Sequence, residues 1–177
     1  MCAVTSKRPS LGRNQIFPGF PKRYYARFNP FWKDLSYMFS HKDQIKHAMR
    51  SPFMTTAFRE RLMLAVTEVN GCRYCRTFHV QLANQAGISE EEIMVYFQGA
   101  IPDEVPEDQK LAVCYAKYWA ENDAQPELSF QNRVRDFYGE NGFQAIEMVL
   151  RMIRMGNLLG NTADYILYRL SFGKLGQ

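Results

Sequence analysis

The chain has 177 residues, 46% of them hydrophobic and 14% aromatic, which suits one compact domain with a real core and excludes a disordered or low-complexity chain. Its net charge of +4 is concentrated at one end: Lys7, Arg8, Arg13, Lys22, Arg23, Arg27 and Lys33 precede the first acidic residue, leaving 15 basic against 18 acidic residues in the rest, so the body has no polyanion-binding balance. No run approaches the roughly 20 apolar residues of a spanning helix, and the N-terminus lacks the apolar stretch of a secretory signal, so no membrane role and a cytoplasmic protein are expected.

In chain order, residues 1 to about 30 carry Pro9, Pro18, Pro21 and Pro30 among aromatic and basic side chains. That composition breaks helices and reads as an extended arm ordered by contact, wrapping a neighbouring subunit rather than binding nucleic acid. The stretches 31–39 and 43–49 have helical spacing, so 1–50 reads as an arm with short helices and 51–177 as the main domain. Beyond Pro52, helices are expected at 54–70, 73–86, 90–99, 107–122, 129–139 and 142–171. Gly87 sits where a helix-ending glycine belongs, and Ser89 with Glu92 forms a capping-box pattern. Pro106, Glu107 and Asp108 open the next helix, with acidic residues at the positive end of its dipole. Met148, Met152 and Met155 form a core stripe, while Arg151 and Arg154 are assigned to a solvated face. Alternating β-branched runs are nearly absent, so the fold class is all-α.

The chemistry is concentrated in "FRERLMLAVTEVNGCRYCRTFHV", residues 58–80. If 54–70 and 73–86 form an antiparallel hairpin about Asn70-Gly71, residues equidistant from the turn face each other. Glu60 and His79 satisfy that register, whereas Glu68 lies at the turn itself. Cys72, Cys75 and His79 share one helical face at i, i+3, i+7, with Cys75 and His79 one turn apart, about 5–6 Å between Cβ atoms. Cys72 is expected nearest the exposed helix end and Cys75 one turn deeper. A thiol with a pKa near 8.5 is mostly protonated at neutral pH, so an imidazole held by a carboxylate is a means of making it nucleophilic. His79 would take the Cys75 proton, Glu60 would fix the imidazole, and attack on a peroxide would leave a sulfenic acid for Cys72 to resolve as a disulfide. Two other readings use the same residues. Cys72, Cys75 and His79 are zinc-ligand types, which would make a non-catalytic zinc-stabilised module, although no second Cys/His pair accompanies them. The third is an inert cysteine pair beside a core histidine.

Glu60, Cys72, Cys75 and His79 resemble, position by position, the signature of the alkylhydroperoxidase D-like branch of the carboxymuconolactone decarboxylase superfamily: a glutamate twelve residues before the first cysteine of Cys-x-x-Cys-x-x-x-His. The likeness is clear over about 56–100 and fainter to about 165, where "MIRMGNLLGNTADY" resembles the late family helix. It implies a helical bundle with the redox pair at the start of a helix in an antiparallel hairpin, usually assembled as a trimer or a dimer of trimers. The implied activity is thiol-dependent hydroperoxide reduction, a peroxiredoxin-type reaction, without metal or organic cofactor. Cys75 would attack, Cys72 resolve, and Glu60 and His79 relay protons. The electron donor would be a lipoyl or thioredoxin-like dithiol, and a dithiol reductase acting on lipoyl or protein disulfides is the neighbouring alternative. The decarboxylase branch generally lacks the cysteine pair. Where the best-known member has a histidine before the second cysteine, this chain has Tyr74.

Overall fold

The computed structural model describes residues 19–176. They form α1 (Phe28–Ser40), α2 (Lys42–Arg50), α3 (Thr56–Asn70), α4 (Arg73–Gln85), α5 (Glu90–Phe97), α6 (Glu107–Glu121) and α7 (Leu128–Leu170), with no strand among the described residues. The fold is therefore an all-α bundle. Helix α7 is broken at Gly139, whose φ of 71° is left-handed. The sequence places its gap between 129–139 and 142–171 at the same point, because a residue without Cβ enters that region at little cost.

Helix α3 is the axis of the domain. Every residue from Glu60 to Thr67 is buried, and the helix packs against α4, α5, α6 and α7. A helix covered on all sides has no polar face to spare, so the charged side chains it carries must find partners inside. Arg61 does so on α5: Nε and Nη2 donate to the two Glu92 carboxylate oxygens at 2.7 and 2.9 Å. The sequence assigns Glu92 to a capping box, and half of it forms, with Ser89 Oγ accepting from the Glu92 N–H at 3.1 Å. The Glu92 carboxylate turns instead to the buried guanidinium, which would otherwise be an uncompensated charge.

Helix α4 lies over α3 as the outer arm of the hairpin, and only His79 and Ala83 are buried along it. Thr55 caps α3 by accepting from the Phe58 N–H. Gly71, at φ 69°, ends α3 and turns the chain into α4. The second arm of α7 crosses both helices. Its buried residues are apolar from Phe143 to Ile153, and beyond them Asn157, Asn161 and Asp164 are buried beside Leu158 as it reaches the hairpin turn.

Two expectations are corrected here. Helix α1 begins at Phe28, so Pro30 lies inside its first turn rather than in an extended arm; the proline lacks only an N–H that has no partner there anyway. Arg154 is not on a solvated face: it donates to Asp34 at 3.2 Å and Asp123 at 2.8 Å, joining α1 and the end of α6. Of the N-terminal arm, residues 19–27 lie on the same chain's α7 and α6. Phe20 is buried, Lys22 pairs with Asp164, Arg23 donates to the Ala120 and Glu121 carbonyls, and the Tyr25 N–H donates to Thr162. The part of the arm before Gly19 lies outside the described residues. No described helix is long and apolar enough to cross a membrane.

Candidate active site at the hairpin turn

The turn at Gly71 places Cys72 as the N-cap of α4, with its side chain where a serine or aspartate commonly sits. Cys72 Sγ accepts from the Cys75 N–H at 3.3 Å. It also receives the Cys75 thiol, and backbone N–H groups of the first turn point towards it. The free amides of a helix start favour negative charge. Consequently the Cys72 thiol is drawn down to about 7, mainly by the hydrogen bond from the Cys75 side chain, helped by the Cys75 and Tyr74 backbone donors, against the opposing effect of burial. Cys75 is pushed the other way, because its proton is held between the two sulfurs, its burial disfavours charge and the Cys72 thiolate repels a second one. Both cysteines are reduced.

Burial reverses the order expected along the helix. Cys72 is 1% exposed, whereas Cys75, one turn on, is only partly buried. The cause is α7, which crosses the start of α4. Gly160 lies so close that a Cβ there would stand 2.6 Å from Cys72 Sγ and 3.9 Å from Cys75 Sγ. Gly160→Ala is therefore expected to lower stability by about 1–3 kcal/mol, since the sulfur of a capped, buried cysteine has little room to move. A thermal melt of the reduced protein checks this; an unchanged midpoint would show that the helices separate freely here.

On the other side of the pair, His79 Nδ1 and Glu60 Oε2 are 2.7 Å apart, both residues buried. Glu60 reaches across from α3 while Arg59 stands 3.8 Å from its other oxygen. With Nδ1–H donated to the carboxylate, Nε2 is the basic nitrogen of the ring. The hairpin thus joins Glu60 with His79 and Cys72 with Cys75, and sets His79 one helical turn beyond Cys75. Glu68 is elsewhere, beside Tyr96 and Lys117 in a small surface pocket, with its carboxyl raised by burial against the pull of Arg76 and Lys117. Among the described residues no group of three or more His, Cys, Asp or Glu side chains is arranged to hold a metal.

Two site residues escape the sequence reading, and both come from α7. Asn157 is fully buried and hydrogen-bonded to Cys75. Asp164, also fully buried, accepts from the Tyr74 hydroxyl at 2.9 Å and pairs with Arg73 at 2.7 Å and Lys22 at 2.8 Å. Burial alone would raise its carboxyl, but hydrogen bonds from Lys22 and Tyr74 hold it below the usual carboxylate range. Tyr74 therefore ties the residues between the cysteines to α7 and takes no part in the Glu60–His79 pair. The run of small and polar residues Gly156, Asn157, Gly160, Asn161 and Asp164 is the sequence signal that marks this face.

The depressed Cys72 value has a readable consequence. Thiolate ultraviolet absorbance of the reduced protein is expected to rise through about pH 7, and Cys72→Ser removes that step. Because the folded value lies below the roughly 8.5 of an unfolded thiol, this ionisation adds stability above that pH, and the gain is lost as pH falls through the folded value. A titration step that remains at the ordinary thiol value would contradict the capping account.

No curated protein and no solved structure matches the chain. Residues 46–114, which carry Glu60, Cys72, Cys75 and His79, match the carboxymuconolactone decarboxylase family, consistent with its alkylhydroperoxidase D-like branch.

Proposed function

We propose that this protein is a thiol-dependent hydroperoxide reductase. The observation that carries the reading is the buried Glu60–His79 hydrogen bond one helical turn beyond the second cysteine of a Cys-x-x-Cys pair capping α4. A carboxylate-held imidazole next to a thiol is an arrangement for moving the thiol's proton, and a second thiol in contact with the first is an arrangement for resolving its oxidation.

The differing environments divide the work. Cys75, the more accessible sulfur, attacks the terminal oxygen of ROOH. A sulfur–oxygen bond forms, the O–O bond breaks, and its electron pair leaves with RO. The proton given up by Cys75 ends on that alkoxide as ROH, carried through His79 Nε2, whose cation Glu60 stabilises. Cys72, buried but already ionised near neutral pH, needs only to reach Cys75. Its thiolate displaces hydroxide from the sulfenic acid, the hydroxide leaves as water with a proton from solvent, and the Cys72–Cys75 disulfide closes. The peroxide has gained two electrons and the dithiol has lost them. A donor dithiol, of lipoyl or thioredoxin-like type, returns them by disulfide exchange. No metal or organic cofactor takes part in these steps. We assign the working enzyme to a homo-oligomer, a trimer or hexamer, by the family resemblance.

One observation favours a second reading. A Cys72 thiol lowered to about 7 is suited to disulfide exchange, so reduction of lipoyl or protein disulfides is the alternative activity. Its burial counts against it, since an attacking thiol must meet a bulky disulfide. Steady-state assays with dihydrolipoamide and cumene hydroperoxide separate the two. Peroxide-dependent oxidation of the donor supports the peroxidase; rapid thiol–disulfide exchange without peroxide consumption replaces it with the reductase.

A further inference from the structure

The proposed chemistry requires negative charge on Cys75, yet the ground state keeps the charge on Cys72. Something must favour its appearance on the second sulfur. Helix α7 approaches the pair at Gly160, and Asn157 lies on the same face one turn earlier. Its side chain is fully buried and its orientation is fixed from several sides. Asn70 Nδ2 donates to Asn157 Oδ1 at 3.4 Å, so the oxygen of the amide faces the end of α3. The Nδ2 group donates to Thr67 Oγ1, one turn earlier on the same helix, at 3.2 Å. An amide nitrogen carries two hydrogens, and the Asn157 amide is also hydrogen-bonded to Cys75. Helix α7 holds this amide by its own packing, and Asn70 is held in turn by Asn161, which donates to the Asn70 carbonyl at 2.7 Å.

We infer that Asn157 is a catalytic residue of the dithiol, whose Nδ2–H stabilises negative charge on Cys75 as that sulfur becomes the nucleophile. The inference rests on the dithiol reading above and names a group on a third helix that completes it. A preorganised neutral donor stabilises an anion without adding a charge that would hold the thiolate permanently. It also gives the pair its direction: the helix start favours charge on Cys72, and Asn157 favours charge on Cys75.

The test is the pH profile of Cys75 alkylation by iodoacetamide in the reduced full-length protein, read on the peptide by mass spectrometry, for wild type, Asn157→Ala and Asn157→Asp. Alanine removes the donor; aspartate keeps the shape but turns a carboxylate oxygen towards the sulfur. A charge-stabilising role orders neutral-pH rates as wild type, then alanine, then aspartate. Alanine is slower by about tenfold and aspartate by a further tenfold or so, with the profile moving to higher pH. A packing role gives the opposite order, because aspartate fills the space and alanine does not. That order, or an unshifted profile in either folded variant, overturns the inference. Circular dichroism establishes folding, and if alanine does not fold the aspartate profile decides alone. Alkylation is read without peroxide, so wild-type thiols that fail to reduce hydroperoxide would remove the peroxidase reading and leave the Asn157 result standing.

Discussion

Cys75→Ser is expected to abolish hydroperoxide reduction, with a fall of roughly a thousandfold or more, because a serine hydroxyl at this position has neither the acidity nor the polarisable electrons to attack an O–O bond. Cys72→Ser is expected to fail differently. Its Cys75 still reacts once, but the sulfenic acid has no resolving thiol and proceeds to sulfinic acid with further peroxide. Dimedone labelling checks the contrast: the adduct forms at Cys75 in Cys72→Ser and does not form at Cys72 in Cys75→Ser. The asymmetry follows from the crossing of α7 over the start of α4, which buries Cys72 and leaves Cys75 accessible. Adducts of equal yield at both positions would mean that either sulfur meets the peroxide and that burial does not assign the roles.

The second large effect is expected from Glu60→Gln. Glutamine keeps an acceptor for His79 Nδ1–H but loses the negative charge that stabilises the imidazolium, and its amide also offers a donor that favours the wrong tautomer. The rate of the first oxidation should fall by about 10²–10⁴, the range seen when the carboxylate of a nucleophile–base–acid relay is neutralised. Glu68→Gln, eight residues along the same helix, should change it by less than about twofold, because Glu68 lines a separate pocket and has no contact with the His79 ring. Single-turnover kinetics at fixed peroxide concentration read both variants. Equal effects would show that the loss comes from general disturbance of α3 rather than from the proton relay.

The difference between those two glutamates was legible from counting alone. In an antiparallel helical hairpin the turn fixes the register, so locating Asn70-Gly71 was enough to pair Glu60 with His79 at a separation of 19 residues. The helix boundaries and the Gly139 break were legible for the same reason, since caps and glycines act within a turn of themselves. What local pattern does not contain is the identity of the third helix. Asn157 and Asn161 meet α3 from 87 to 91 residues away, and Lys22 meets Asp164 across 142. The misplaced depth of Cys72 has the same origin. From the hairpin alone a helix start projects into solvent, and only the arrival of Gly160 covers it. Glu92 shows the converse failure: a local rule assigned its carboxylate to a cap, and a buried arginine on another helix competed successfully for it.

The most direct test is mass spectrometry of the peptide carrying Cys72 and Cys75 after reduced, chelator-treated protein meets a small excess of cumene hydroperoxide for seconds. Prompt loss of two hydrogens at the pair is expected, with no sulfinic acid, and formation of one alcohol for each disulfide. Thiols that stay unreacted in correctly folded protein would contradict it.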